Sequence, residues 1–212
     1  MTRPAFDPTL CLVIGPDDTL GRDPVWVAER AMEGGVTMVQ LRWKHAASDA
    51  LVALGQRLAP ICARFDVPLL LDDRADLVAR AGAHGVHVGQ RDMPVAAARA
   101  AVGPAAIVGL SIEDASQLGT ITGDVDYVGV GPIFHTATKP DHAPPLGIAG
   151  LAALAPRLDV PAMAIGGVDV RVAGALREAG AAGLAVVSAI ARADDPREAA
   201  RALRVAFAAR AV

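Results

Sequence analysis

The chain has 212 residues, a formal net charge of −3 and a hydrophobic content of 53%, to which aromatic residues contribute little. This length suits one domain, spanning residues 1–212, that can bury a sizeable core without disulfides or metals. The slight negative charge argues against a nucleic-acid-binding protein, because affinity for the phosphate backbone depends on clustered Lys and Arg.

The sequence also argues against a membrane or secreted protein. No apolar run approaches the roughly 20 residues of a membrane-spanning helix, and Leu10 to Gly15 is too short for the core of a signal peptide. Cys11 and Cys62 have neither the number nor the spacing of a disulfide framework or a zinc site, which indicates buried thiols. We therefore expect an unanchored cytoplasmic protein, and the sequence leaves its oligomeric state open.

Short β-branched or apolar runs alternate with Ala-rich amphipathic segments, which is typical of βαβ units around a parallel sheet. The predicted strands are Leu10 to Ile14, Thr37 to Leu41, Pro68 to Leu71, Gly85 to Val88, Ala106 to Gly109, Tyr127 to Gly129, Ala162 to Ile165 and Gly183 to Val187. The clearest predicted helices are Pro24 to Glu33, Ser48 to Phe65 with Ser48 as its cap, and Arg171 to Ala179. Eight such units favour a single (β/α)8 TIM barrel, although alternation alone also fits an open doubly wound sheet.

In a (β/α)8 barrel the reactive residues gather at the carboxyl ends of the strands, and polar residues follow nearly every strand here. The second strand leads into Gln40, Arg42 and Lys44, whose alternation places them on one side. This cluster suits the binding of an anion, and an ordinary solvated edge explains it equally well.

Carboxylates follow the third and fourth strands. Asp73 and Asp92 arrive from neighbouring strand ends and could share one Mg2+, which takes oxygen ligands and bridges to a substrate phosphate. Each aspartate alone is better explained as a helix cap. His87 is either a polar contact or a satisfied core residue, because no carboxylate is spaced with the histidines for a zinc site.

The later strands add hydroxyls, one amine and glycines. Ser111 could donate to a phosphate, but a cap for a helix beginning at Glu113 is the simpler interpretation. The Pro- and Thr-rich segment Gly131 to Pro145 is typical of a functional loop, in which Lys139 could close over an anionic leaving group. Gly166-Gly167 and Val187-Ser188 follow the last two strands, where such barrels bind phosphate through backbone N–H groups, the alternative for the glycines being a tight turn.

The segments VQLRWK, DDRADLVARAGAHGVHVGQRD, GLS, DYVGVGPIFHTATKP, AIGGV and GLAVVSAI, taken in this order, resemble the thiamine-phosphate synthase family from about Val39 to Ile190. The resemblance implies a Mg2+-dependent transferase acting on two small-molecule substrates. It would join 4-amino-5-hydroxymethyl-2-methylpyrimidine diphosphate to 4-methyl-5-(2-phosphooxyethyl)thiazole, giving thiamine phosphate and pyrophosphate. The chemistry needs no protein nucleophile, because the pyrimidine ring can stabilise the cation left by pyrophosphate and the thiazole nitrogen then attacks.

The resemblance also assigns roles to individual residues. It implies that Asp73 and Asp92 bind the metal. It implies that the pyrophosphate is bound by Arg42, Lys44, Ser111 and Lys139. It implies that Gln40 and His87 contact the pyrimidine. It implies that Thr136 and Thr138 lie in the region of the thiazole phosphate, and that this phosphate is bound by Gly167, Val187 and Ser188.

One position departs from the family pattern in a way that affects the chemistry. Asp72 stands where the family usually carries Asn, and a carboxylate beside a pyrophosphate is repulsive unless it binds the cation or is protonated. His135, where the family often has proline, is a milder change. Two alternatives are therefore kept: an isomerase on the same barrel that acts on one thiazole phosphate, as thiazole tautomerases do, and a non-catalytic sensor of a phosphorylated thiazole.

Overall fold

The sheet closes on itself, because each strand pairs in parallel with the next in the chain and the last pairs with the first. The computed structural model describes residues 5–136, 138 and 143–209. The strands are β1 Leu10–Ile14, β2 Met38–Leu41, β3 Leu69–Asp72, β4 Gly85–Val88, β5 Ile107–Ile112, β6 Tyr127–Val130, β7 Ala162–Ile165 and β8 Gly183–Val186. The predicted (β/α)8 barrel is therefore confirmed.

Helices cover the outside of the barrel. They are α1 Pro24–Glu33, α2 Ser48–Arg64, α3 Val78–Ala81, α4 Val95–Val102, α5 Gly147–Leu154, α6 Ala173–Glu178, α7 Ser188–Ala191 and α8 Pro196–Ala208. Short 3-10 helices lie at Pro16–Asp18, Ala75–Leu77, Ala115–Thr120 and Ala155–Arg157. Within the described part of the chain, none of these helices has the length and apolar character needed to cross a bilayer.

Two predicted helix caps are wrong. Ala47 occupies the N-cap position of α2, and the Ser48 hydroxyl instead accepts a hydrogen bond from Arg74 Nη2 at 3.0 Å. Ser111 lies inside β5, which runs further than predicted, and Asp114 caps the short helix that follows by accepting from Ser116 N. Ala47 has no side-chain capping group, whereas Asp114 supplies a cap, and each serine hydroxyl instead has a partner on another element.

The barrel interior has an apolar half and a polar half. Alternate residues of each strand point inward, and those nearer the strand N-termini form a cluster that includes Met38, Leu70 and Ile107. The next inward residues on β2 and β3, two positions further along, are Gln40 and Asp72. An aliphatic layer therefore fills the N-terminal end, and polar side chains open onto the C-terminal mouth.

A buried ion pair fixes the start of β6 beside β5. Arg99 on α4 reaches Asp126 Oδ2 at 2.6 Å, and it also donates to the carbonyls of Ala106 and Asp124. The same carboxylate oxygen accepts from Val108 N at 2.8 Å. Because both side chains are almost fully buried, each depends on the other for its charge compensation.

We predict that Asp126→Asn lowers the free energy of unfolding by about 3 kcal/mol, because it leaves a buried guanidinium without a counter-charge. Urea denaturation followed by circular dichroism measures this. The matched control is Arg201→Gln, which breaks an exposed pair with Glu198 on α8 and is expected to leave the midpoint unchanged. Equal midpoints for the wild type and Asp126→Asn would contradict the stabilising role of the pair.

Candidate active site

A cavity of about 420 Å³ opens at the carboxyl ends of the strands. Every described residue that the sequence analysis placed in the site lines this cavity, whereas Lys139 lies outside the described residues. The residues so brought together are Gln40, Arg42, Lys44, Asp72, Asp73, His87, Asp92, Ser111, Thr136, Thr138, Gly167, Val187 and Ser188.

Asp72 is held by cations and an amide rather than facing the cavity alone. Gln40 Nε2 donates to its Oδ1 at 2.6 Å. Its Oδ2 is buried and accepts no hydrogen bond from the described residues, but it lies 3.4 Å from Arg42 Nε and 3.3 Å from Lys44 Nζ. The carboxylate of Asp72 is therefore compensated by two positive charges.

Asp73 turns away from the strand and toward Asp92. Its backbone is left-handed, with φ of 62°, and its N–H donates to the carbonyl of His87 at 2.8 Å. Its carboxylate pairs with Lys44 and contacts the carboxyl group of Asp92. Burial, together with the negative charge of Asp72, raises the pKa of Asp73 to about 7.

Neither acidic residue of the predicted metal pair is a helix cap. The residue in the cap position of α4 is Pro94, and Arg74 precedes the short helix after β3. Asp92 Oδ2 instead accepts from Gly89 N at 2.9 Å within a tight turn. The cap interpretation of Asp73 and Asp92 is therefore wrong, and both carboxylates face the cavity.

The donor set fits a weakly coordinated Mg2+ better than a protein-enclosed metal. Within residues 5–136, 138 and 143–209, no group of three or more His, Cys, Asp or Glu side chains is arranged to hold an ion. The carboxyl groups of Asp73 and Asp92 adjoin each other. Mg2+ commonly uses one or two protein carboxylates and takes its remaining ligands from water and substrate phosphates.

Lys44 carries the charge that balances these carboxylates. Burial opposes its charged form, but Asp72 and Asp73 outweigh this effect and raise the pKa of the ammonium. Lys44 therefore stays protonated near neutral pH. Together with Arg42 it makes the β2 side of the mouth a cationic wall.

His87 forms a buried hydrogen-bonded chain with a residue that the sequence analysis missed. Its Nδ1 lies 3.0 Å from the hydroxyl of Tyr127, and its Nε2 lies 2.9 Å from Ser111 Oγ. Tyr127 was assigned only to a strand. As the single tyrosine of the chain, two residues before Gly129 and thus on the same face of β6, it carried a usable signal.

Two acidic residues that line the cavity were also missed. Glu113 follows β5, and Asp169 follows the Gly166-Gly167 turn at its rim. Asp169 binds the guanidinium of its neighbour Arg171, which lowers the pKa of its carboxyl. Its position shortly after a glycine turn at a strand end could have identified it as a residue of the site.

The glycine turn after β7 is conformationally required. Gly166 and Gly167 have φ of +92° and +66°, and a Cβ on Gly167 would stand 2.7 Å from that of Phe134. The backbone N–H groups of Gly167 and Ser188 donate to no acceptor among the described residues. Both residues line the cavity, so two backbone amides with no protein acceptor among the described residues lie beside it, and backbone amides of this kind can bind a phosphate.

Known proteins that are similar in sequence identify the family of the chain. The family model described as thiamine monophosphate synthase matches residues 10–190. The chain belongs to this family. It is 42% identical over 199 residues to the thiamine-phosphate synthase of Laribacter hongkongensis, covering 93% of this chain and 94% of that protein. It is 45% identical over 185 residues to that of Chloroflexus aurantiacus, covering 87% and 85%.

A solved structure agrees with the family assignment. The thiamine phosphate pyrophosphorylase from Pyrococcus furiosus superimposes with a TM-score of 0.86 at 29% identity. The match covers 95% of this chain and 96% of that one. The two chains thus share the barrel over nearly their whole length.

We predict that Gly167→Ala weakens the binding of inorganic phosphate roughly tenfold or more, because the displaced turn withdraws a backbone donor from a charged ligand. Isothermal titration calorimetry measures this. The control Gly21→Ala has a similar φ of +80° but no atom within 4 Å of the added Cβ. It should cost about the same backbone strain, roughly 1 kcal/mol, without changing phosphate affinity. Equal phosphate affinities for the two variants would remove Gly167 from the anion site.

We further predict that Asp72→Asn tightens the binding of inorganic pyrophosphate about tenfold in the absence of metal. The change removes a negative charge beside Arg42 and Lys44 but keeps an oxygen that can accept from Gln40. The control Asp66→Asn removes an exposed charge at the opposite end of the barrel, where a left-handed φ of 54° suits Asn. Weaker pyrophosphate binding by Asp72→Asn would mean that the carboxylate organises the cationic wall more than it repels the ligand.

Proposed function

We propose that this protein is a thiamine-phosphate synthase, which joins a hydroxymethylpyrimidine diphosphate to a hydroxyethylthiazole phosphate and releases pyrophosphate. The observation that carries the proposal is the meeting, in one cavity of about 420 Å³, of a cationic wall, two adjoining carboxylates and a glycine turn with bare N–H groups. A diphosphate and a second phosphate each require such a site. The names of the relatives in the family support the same reaction.

The diphosphate is placed against the cationic wall. Arg42 and Lys44 would bind its oxygens, and Ser111 would donate a hydrogen bond from the facing strand. Family resemblance adds Lys139, which lies outside the described residues. Preorganised charges of this kind stabilise the negative charge that grows on a leaving group, at about 3 kcal/mol for one well-placed donor.

Asp73 and Asp92 would hold Mg2+. When bound, the ion would neutralise charge on the departing pyrophosphate as a Lewis acid. Its expected ligands are the two carboxylates, water and phosphate oxygens. The contact between the two carboxyl groups supports a cation at this point, because two adjoining negative charges repel each other unless a cation or a proton lies between them.

The pyrimidine is placed between the cationic wall and the barrel interior, near Gln40 and His87. The bond from its methylene carbon to the diphosphate oxygen breaks, and the electron pair leaves with pyrophosphate. The ring stabilises the resulting cation, and the thiazole nitrogen donates its lone pair to form the new C–N bond. Apolar side chains of Val13 and Ile165 line the same cavity and would limit the access of water to the cation.

The thiazole phosphate would bind where β7 and β8 end, which is separated from the cationic wall by β1. Gly167, Val187 and Ser188 would bind its oxygens through backbone and hydroxyl donors, and Thr136 and Thr138 lie beside them on the cavity wall. The substrates are thus small phosphorylated molecules. The free, buried thiols of Cys11 and Cys62 fit a reducing cytoplasm as the place of this reaction.

The two alternatives make less use of the site. An isomerase acting on one thiazole phosphate would need the glycine turn but would leave Arg42, Lys44, Asp73 and Asp92 without a role. A sensor would not need them either. The synthase reaction gives a role both to the glycine turn and to the charged residues.

We predict that the purified protein releases pyrophosphate only when both substrates and Mg2+ are present, as 31P NMR of the reaction mixture measures without a metal-dependent coupling enzyme. Asp92→Asn should lower kcat/KM at least about tenfold, because it removes a metal ligand. Its unfolding midpoint should change little. The control Asp66→Asn should retain full activity.

Two results would contradict the proposed reaction, and a third would contradict the metal assignment. Conversion of the thiazole phosphate alone would indicate the isomerase, and binding of the ligands without turnover would indicate the sensor. Identical Mg2+ dependence in the wild type and in Asp92→Asn would remove Asp92 from the metal site.

A further inference from the structure

The chain of hydrogen bonds from Tyr127 through His87 to Ser111 has an internal direction that the geometry fixes. Tyr127 is buried, and its hydroxyl has one hydrogen-bond partner among the described residues, His87 Nδ1 at 3.0 Å. Burial raises the pKa of the phenol well above its ordinary value, so the hydroxyl keeps its proton. A buried O–H that donates to nothing pays the full cost of its desolvation. The Tyr127 hydroxyl must therefore donate to Nδ1.

This direction decides the tautomer of His87. A ring nitrogen that accepts a hydrogen bond carries no proton, and a neutral imidazole then carries its proton on the other nitrogen. Nε2 is thus an N–H donor, and Ser111 Oγ lies 2.9 Å from it. The serine oxygen accepts this bond.

The consequence appears at the cavity surface. Since Ser111 Oγ accepts from His87, its own hydrogen is not engaged by the imidazole and can point toward a ligand. Ser111 lines the cavity on the side of β5, facing the diphosphate position proposed above. In the opposite tautomer Ser111 would donate to Nε2, and only lone pairs would face an anion, which is repulsive.

We propose that Tyr127 is a positioning residue, which sets the tautomer of His87 and so turns the Ser111 hydroxyl into a hydrogen-bond donor for a phosphate oxygen in the cavity. The proposal rests on the proposed function for the identity of that anion. It assigns Tyr127 no contact with substrate. Its effect passes through two hydrogen bonds.

The barrel interior is shaped to hold this chain. A Cβ on Gly109 would stand 2.3 Å from Tyr127 Cζ and 2.5 Å from His87 Nδ1, and a Cβ on Gly129 would stand 3.3 Å from His87 Cε1. Both glycines are at inward positions of β5 and β6. A side chain at Gly109 would collide with both rings and one at Gly129 would crowd His87, so the absence of side chains there makes room for the pair.

The direct test is the tautomer of His87 in the wild-type protein, measured by 15N NMR on protein labelled at histidine. The chain has five histidines, and His87→Gln identifies the signal by its loss. The expected spectrum shows a protonated Nε2 and an unprotonated Nδ1. A protonated Nδ1 would overturn the proposal whatever the variants do.

The functional test uses inorganic pyrophosphate with Mg2+ as the probe. Tyr127→Phe should move His87 toward the Nδ1–H form and weaken pyrophosphate binding roughly tenfold, as expected for the loss of one hydrogen bond to a charged group. Ser111→Ala should lose a similar factor. The double variant should lose no more than either single variant, because both changes remove the same donor. Losses that multiply in the double variant would contradict the shared route.

Cys11→Ala provides the matched control. Cys11 is buried in the same interior cluster as Tyr127, and its thiol makes neither of the two hydrogen bonds of His87, so truncating it loosens the packing but removes no member of the hydrogen-bonded chain. In the Cys11→Ala variant, the tautomer of His87 and the affinity for pyrophosphate should equal those of the wild type. A weakening equal to that of Tyr127→Phe would mean that loosened packing, rather than the tautomer, sets the affinity.

The outcomes also separate this proposal from the proposed function. Pyrophosphate release by the wild type with an Nδ1–H tautomer would overturn the positioning role alone. The expected tautomer and variant pattern without turnover of the two substrates would overturn the synthase activity and keep the positioning role.

Discussion

The closed parallel barrel imposes the constraint on which the site depends. Only alternate residues of each strand face inward, so a strand of four to six residues offers one or two side chains near the mouth. Met38 and Leu70 fill the lower interior, and Gln40 and Asp72 stand above them. The same alternation that packs the barrel therefore limits the site to a few positions per strand and brings residues far apart in sequence to one cavity.

The electrostatics of the mouth follow from this crowding. Asp72 and Asp73 end one strand, Arg42 and Lys44 follow the neighbouring one, and the ion pairs between them balance charges that would be costly alone. The additional carboxylate at residue 72 is tolerated because both cations lie within 3.4 Å of it. The same cations are the groups proposed to bind the diphosphate, so ligand affinity is set by competition between internal and bound anions.

Much of the site could be predicted from the sequence, because strand ends and glycines are visible in it. The Gly166-Gly167 turn and the polar residues after β2, β3 and β4 were found by their position alone. The errors have a common cause: Ser48 and Ser111 were interpreted by local capping preferences, whereas each hydroxyl has a partner more than twenty residues away. Tyr127 was missed because a tyrosine in a strand is usually a packing residue, and its role depends on His87.

The sequence by itself determined the order of strands and helices, the apolar character of the core and the kinds of chemical group at each strand end, since these depend on local periodicity and residue type. The tertiary structure decided which groups meet. Whether Asp72 is paired, whether Asp73 touches Asp92 and which nitrogen of His87 carries a proton depend on separations of about 3 Å between different strands. Such separations are set by the closure of the barrel and the register of its strands, and no segment of the chain contains them alone.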